Sequence, residues 1–300
     1  MVQPATIGEA WRAASQRIDR LDARLLVEQV AGCTHADLIV RPERALRLAQ
    51  AAQLEALVAR RAGGEPLAYL VGSADFQGLE FLVSPAVLIP RPDTEVLVEL
   101  AAERARALNA TRILDLGCGS GIVAVMLARR CPWAEVSAVE VSPEALDVAR
   151  RNAQRHGAKI RFLAGDWYAP LGDARFDLIV SNPPYVVDGD PHLQQNGLNF
   201  EPQGALTDGV AGGDGLSCLR AIINGAPAHL APGGWLLVEH GYDQAAPVRA
   251  LLAAAGFAGP ASWRDLAGIE RVSGGGMHLE KVVEHGSVKC GFVPPLMPRS

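Results

Sequence analysis

The chain holds 300 residues, of which 49% are hydrophobic and 20% charged, at a mean hydropathy of +0.12. Those proportions exclude a disordered or fibrous protein and supply enough apolar surface for two domains, each with its own core. A formal net charge of −5 argues against a protein that holds nucleic acid chiefly by neutralising phosphates, although a local basic face fits inside that sum. The long uncharged stretch over 221–238 is interrupted by Gly225, Pro227, Pro232, Gly233 and Gly234, so it is not a membrane span. The N-terminal MVQPATIGEAWRAAS offers no apolar run for a signal peptide. Cys33, Cys118, Cys131, Cys218 and Cys290 are scattered singly, which points to a reducing cytoplasm and no structural metal.

Residues 1–75 read as helical. Apolar positions recur at three- and four-residue spacing in Ile18, Leu21, Leu25 and Leu26, and again in Leu46, Leu48, Leu54, Leu57 and Val58. Gly32 and the Gly63-Gly64 pair punctuate the segments. This part carries nine Arg, no Lys and nine acidic residues, so the whole negative charge sits in the remainder, with 19 basic against 24 acidic. Guanidinium groups suit bidentate contacts to a macromolecular surface. GC-rich coding is the favoured explanation of them, since the chain has only three Lys anywhere.

Over 76–90 the pattern turns to alternation, with Phe76, Leu79, Phe81 and Val83 around Gly78, and predicts a hairpin linking two domains. Pro90-Arg91-Pro92-Asp93-Thr94-Glu95 follows, with Asp93 or Thr94 placed to cap a helix running to about residue 108. Strands are then predicted over 112–116, 135–139, 160–163, 176–180 and 235–239. Between them come helices ending near 130 and spanning 142–156, 216–230 and 243–255. Such alternation means an α/β domain over 91–278, a parallel sheet with helices on both faces. Residues 279–300, with Pro294-Pro295 and Pro298, look like an extension outside the core.

The chemistry-bearing residues fall at the strand ends. Asp115-Leu116-Gly117-Cys118-Gly119-Ser120-Gly121 leaves an apolar strand and enters a helix, and its glycines let backbone amides approach a ligand. Glu140, 19 residues beyond Gly121, ends the next strand, where a carboxylate accepts from both hydroxyls of a ribose. A nicotinamide cofactor would want its third glycine one position later, where Ile122 stands. The tighter spacing, with an acid two residues before the first glycine, is similar to the cofactor loop of class I methyltransferases. Gly165-Asp166-Trp167 ends a third strand and offers an acceptor for an adenine amino group beside a flat indole, though Trp167 fits a core position as well. Ser181-Asn182-Pro183-Pro184-Tyr185 ends a fourth. Its prolines stiffen the backbone so that the Asn182 side chain and the Pro183 carbonyl converge on a planar NH2 group, with Tyr185 on the flat face. Two acceptors set in advance favour positive charge building on a weakly nucleophilic nitrogen. His192, His229 and His240 have no metal-binding spacing and read as surface or supporting residues.

The order of DLGCGSG, Glu140, Asp166-Trp167 and NPPY resembles class I amino-methyltransferases. With the helical N-terminal part, the hairpin, Leu88-Ile89 before PRPDTE, and Phe200-Glu201-Pro202 ahead of Ala205-Leu206, the chain over about 5–277 resembles the HemK/PrmC family of peptide chain release factor glutamine methyltransferases. The resemblance implies a Rossmann-like, mostly parallel sheet that binds S-adenosylmethionine, behind an N-terminal helical recognition domain. It implies cofactor contacts by Asp115, Gly117, Cys118, Gly119, Ser120, Gly121, Glu140, Asp166, Trp167 and Asn182. The substrate glutamine, from the Gly-Gly-Gln motif of class I release factors, would be held by Asn182, Pro183, Pro184 and Tyr185, with Asn182, Pro183 and Tyr185 catalytic. A cytoplasmic monomer without nucleic acid, membrane or metal is expected. Three readings compete: a glutamine methyltransferase for a large-subunit ribosomal protein, an adenine-specific DNA methyltransferase, and a non-catalytic binding module on the same scaffold. The acidic catalytic part and its lack of a target-recognition domain speak against the second, and the retention of both motif halves against the third.

Overall fold

The computed structural model describes residues 6–278. The predicted extension over 279–300, with Cys290, lies outside the described residues. Among the described residues the chain packs as two compact units, one of residues 6–73 together with His192–Phe200, the other of Ala74–Pro191 and residues 201–278. The excursion over 192–200 is a departure from the sequence reading, which ran the second domain unbroken over 91–278.

In the first unit, α1 (Ile7–Ala14), α2 (Arg20–Ala31), α3 (His35–Val40), α4 (Leu48–Ala62) and α5 (Leu67–Val71) enclose a core of Ile7, Ala10, Leu26, Val27, Leu54 and Val58. Local signals set the ends. Thr6 and Glu9 form a capping box on α1, the Asp19 carboxylate accepts from the Leu21 amide at the start of α2, and Gly32 closes α2 in the left-handed conformation. Leu21 and Leu48, two of the periodic apolar positions, are instead exposed, each within the first two residues of its helix.

The second unit opens with β1 (Ser73–Phe76) and β2 (Leu79–Leu82), paired through Gln77 and Gly78, both at positive φ. That is the turn a tight hairpin prefers. The hairpin therefore ends sooner than predicted, and residues 83–93 run irregularly to α6 (Thr94–Leu108). Neither expected cap on α6 forms. Asp93 has helical dihedrals and pairs through Oδ2 with Arg271 Nε at 3.2 Å, and Thr94 turns inward.

The chain then alternates through β3 (Arg112–Leu116), α7 (Ile122–Arg130), β4 (Glu135–Glu140), α8 (Pro143–Arg155), β5 (Ile160–Ala164) and β6 (Phe176–Ser181). After a small parallel pair, β7 (Val186–Asp188) and β8 (Thr207–Ala211), come α9 (Ser217–His229), β9 (Leu230–Glu239), α10 (Ala245–Ala254), β10 (Ala258–Arg264) and β11 (Glu270–Gly276). Among the described residues these make one seven-stranded sheet of order β10-β11-β9-β6-β3-β4-β5, with every strand parallel except β11, which runs against both of its neighbours, β9 and β10. Alternate residues feed two apolar layers. Leu178, Trp235 and Leu237 meet α6 and α7, while Ile179, Leu236 and Val238 meet α9 and α10.

Nothing in the apolar pattern foretold β10 and β11. Their stretch is rich in Gly, Ser and Ala, and it packs by close backbone approach. A Cβ on Gly274 would lie 2.3 Å from the Leu236 carbonyl oxygen, and one on Gly276 would lie 2.5 Å from Trp235 Nε1.

Candidate active site

From β3 the chain steps outward through β4 to β5, then crosses back to β6 on the other side of β3. Such a reversal opens a crevice at the carboxyl ends of the strands. Register aligns those ends: Leu116 pairs with both Val139 and Ser181, Glu140 with Ala164, and Ser181 with Val238. Gly117, Glu140, Gly165, Asn182 and Glu239 consequently share one edge of the sheet. A cavity of about 670 Å³ lies there, well sized for a nucleoside-bearing ligand.

Most of the residues singled out in the sequence line that cavity: Asp115, Gly117, Cys118, Gly119, Ser120, Glu140, Asp166, Trp167, Asn182 and Pro184. Gly121, Pro183 and Tyr185 do not. Gly121 has a structural task at the start of α7, where φ is +80° and a Cβ would come within 3.0 Å of Ala149 Cβ. Tyr185 packs in the apolar layer beneath α9 and gives its hydroxyl to Glu239 Oε1 at 3.3 Å, so it lies behind the pocket wall.

The loop after β3 is held by its own backbone. Gly117 and Cys118 donate to the Val139 carbonyl, and the buried Asp115 carboxyl accepts from the Ala124 amide at 3.0 Å. Burial pushes Asp115 up to about 7 and the Cys118 thiol higher still, which leaves no thiolate nucleophile in the loop. Gly117, at φ +68°, admits the Trp167 ring, whose Cζ3 would lie 3.1 Å from a Cβ there. Trp167 itself adopts a left-handed φ of 41°, a strain its ring packing over the glycine helps offset. Glu140 spends one lone pair of each oxygen on the protein, Oε2 on the Gly119 amide at 2.8 Å and Oε1 on the Ser142 amide at 2.9 Å. Each oxygen keeps further acceptor capacity, which matches two vicinal hydroxyls.

The loop after β6 is held by side chains. Ser181 donates to the Leu116 carbonyl at 2.7 Å, Gln244 donates to the Tyr185 carbonyl at 3.0 Å, and Asn182 Nδ2 donates to Thr94 Oγ1 at 3.1 Å. With its nitrogen committed to Thr94, Asn182 has Oδ1 left as an acceptor. Thr94, expected only as a helix cap, and Glu239, expected only as the last residue of a strand, were not among the site residues read from the sequence. The one signal for Glu239 was its place at a carboxyl strand end, the same place held by Glu140.

A third wall comes from residues 86–94 and 202–209. Glu201 joins them: its buried carboxylate pairs with Arg91 and accepts from the Ile89 amide at 3.0 Å. The PRPDTE and Phe200-Glu201-Pro202 signatures thus meet at one carboxylate. Of the histidines, His240 is completely buried and occupied by the Gly241 carbonyl and the Ser273 hydroxyl, each at 2.8 Å. His229 stacks on Tyr168.

Comparison with known proteins agrees with this architecture. Residues 92–197 match the Methyltransferase small domain model and residues 9–72 match the PrmC N-terminal domain model. A release factor glutamine methyltransferase of Burkholderia pseudomallei is 52% identical over 279 residues, covering 91% of this chain and 96% of the relative. One from Bordetella pertussis is 52% identical over 263 residues, covering 87% and 96% respectively. Among solved structures, the T. thermophilus 16S rRNA N2 methyltransferase in complex with AdoMet and guanosine superposes with a TM-score of 0.50 at 24% identity. It covers 68% of this chain and 49% of that one, and supports the fold. Matches to both family models, and relatives similar over nearly their whole length, place the chain in the family of release factor glutamine methyltransferases.

Proposed function

We propose that the protein transfers a methyl group from S-adenosylmethionine to the side-chain amide nitrogen of the glutamine in the Gly-Gly-Gln motif of class I peptide chain release factors. The observation that carries this reading is the shared cavity: a nucleoside cradle and the Asn182 acceptor open onto the same space. The residues fit the cofactor. Glu140 has acceptor capacity left for the ribose, the indole of Trp167 offers a flat face for adenine, Asp166 offers an acceptor for its amino group, and the loop over 117–121 brings backbone close. When bound, the cofactor supplies an electrophilic methyl group on a sulfonium.

On the substrate side, Asn182 Oδ1 accepts one hydrogen of the glutamine NH2 and Pro184 walls the amide, while Pro183 stiffens the turn and Tyr185 backs it from behind the pocket wall. An amide nitrogen is a poor nucleophile because its lone pair is delocalised. An acceptor placed ahead of time stabilises the positive charge that would develop on that nitrogen as its lone pair takes up the methyl group a bound cofactor would supply, the neutral thioether being the leaving group. The N-methylated amide cation is acidic enough to release its proton to water, so no side-chain base is required. The N-terminal helices serve recognition of the folded substrate through their arginines. A translation factor as substrate places the enzyme in the cytoplasm.

Incubation with labelled cofactor and purified release factor, followed by peptide mass spectrometry, should show one methyl group on the Gly-Gly-Gln glutamine. Label appearing instead in a large-subunit ribosomal protein or in adenine of DNA, with none in release factor, would replace this reading.

A further inference from the structure

Behind the Asn182 loop lies a carboxylate that the mechanism above does not use. Glu239 ends β9 one residue after Val238, the partner of Ser181 in register, so it stands beside Asn182 at the sheet edge. It is completely buried. Its Oε1 takes the Tyr185 hydroxyl at 3.3 Å, and its carboxylate also bonds the Thr94 side chain, the same hydroxyl that accepts from Asn182 Nδ2 at 3.1 Å. Its Oε2 is buried without a hydrogen-bond partner. A buried, half-satisfied carboxyl is costly, and a fold that keeps one needs a reason.

Hydrogen counting supplies that reason. A threonine hydroxyl has one hydrogen. If it were free, Thr94 would satisfy Asn182 in either orientation, by donating to Oδ1 or by accepting from Nδ2. An ionised Glu239 only accepts, so it claims that hydrogen and leaves Thr94 as an acceptor toward Asn182. One orientation of the Asn182 amide is then satisfied, the one that turns Oδ1 away from Thr94. The same carboxylate fixes the Tyr185 hydroxyl and so restrains the other end of the NPPY turn.

We infer that Glu239 is a positioning residue of the transfer site, which acts through Thr94 to fix which atom of the Asn182 amide meets the substrate nitrogen. This rests on the proposed glutamine methylation for its functional consequence, and on the hydrogen-bond chain alone for its structural one. Burial pushes Glu239 up to about 7. The groups that face it are Asp93, which raises it further, Arg271, which lowers it, and Tyr185; the neighbouring His240 is held neutral by burial. The orienting charge is therefore lost on the acid side of neutrality.

Glu239→Met removes the acceptor at similar volume, and Thr94→Val removes the relay. Each should lower kcat on release factor about 10- to 100-fold while leaving KM for the cofactor unchanged. Glu239→Gln retains an accepting oxygen and Thr94→Ser retains the hydroxyl, so both should recover activity to within about fivefold of wild type. Glu239→Gln should also lose the acid limb of the wild-type pH profile near neutrality. Wild-type kcat in Glu239→Met, or equal loss in the Met and Gln variants with a raised cofactor KM, overturns the inference. A substrate-free measurement separates it from the choice of substrate. The side-chain NH2 resonance of Asn182, identified by its loss in Asn182→Ala, should shift with a midpoint near neutrality in the wild type and stay fixed in Glu239→Gln. A resonance that ignores pH in the wild type overturns the inference even if release factor proves to be the wrong substrate.

Discussion

The two loops that meet at the cavity are built on opposite principles. After β3 the main chain does the holding: glycines at positive φ, amides on the Val139 carbonyl, and Glu140 tied by two backbone donors. After β6 the backbone is stiffened by prolines, and its half-buried amide side chain is oriented by Thr94 and a buried glutamate at the end of the neighbouring strand β9. A cradle for an invariant ligand needs close approach and little else. A group that must discriminate one end of a planar amide from the other needs a side-chain network with a defined hydrogen-bond polarity.

That contrast breaks most decisively at Asn182. Asn182→Ala should reduce turnover by about 10³-fold or more, the scale of losing a donor or acceptor aimed at the transition state. Calorimetry should find cofactor affinity within a few-fold of wild type, and turnover retained by this variant would sink the assignment of the β6 loop. Glu140→Ala should do the reverse. Losing charge-assisted hydrogen bonds worth about 1.5–3 kcal/mol weakens cofactor binding about 10- to 100-fold, and turnover at saturating cofactor should change far less. Equal damage to turnover in both variants would erase the division of labour.

Gly117→Ala sharpens the main-chain side. A non-glycine residue at φ +68° costs about 1–2 kcal/mol, and its Cβ would press on the Trp167 ring. A lower melting temperature together with weaker cofactor binding is expected; an unchanged affinity would show that Trp167 does not depend on this approach.

The smallest effect is on stability against pH. Asp115 and Glu239 are both pushed up to about 7 by burial, above the range of about 4 they have in an unfolded chain. The folded state therefore binds protons that the unfolded state has released. Their contribution is full below about pH 4 and falls as pH rises through 7. Asp214 works in the opposite sense. The Arg220 hydrogen bond holds it at about 2, so its contribution is complete above about pH 4 and is lost only below that. Thermal melts of the free enzyme between pH 5 and 7.5 should decline with pH, with a shallower slope in Glu239→Gln. An identical slope in that variant would place the charge elsewhere.

The alternation of strands and helices, the glycine loop after β3 and the place of Asn182 at a strand end beside it were legible because each depends on local properties. Apolar runs, glycines after a strand and prolines after an asparagine act within a few residues of themselves. The missed elements depend on distant ones. β10 and β11 are stabilised by small residues that let backbone pack on Leu236 and Trp235, which leaves no apolar period to read. The capping role expected of Asp93 yields to Arg271, more than 170 residues away in the chain, and Thr94 is recruited to Asn182, 88 residues away. Likewise the PRPDTE and Phe200-Glu201-Pro202 signatures were visible separately, but their union at the Glu201 carboxylate was not.

The sequence by itself determined the fold class, the order of the strand-end motifs and the chemistry those motifs can offer, since spacing and residue type carry all three. Only the tertiary structure decided which motif residues reach the cavity, that Tyr185 stands behind its wall, and that a buried carboxylate holds the Asn182 loop. Hydrogen-bond polarity is a property of groups brought together by folding, and no periodicity along the chain records it.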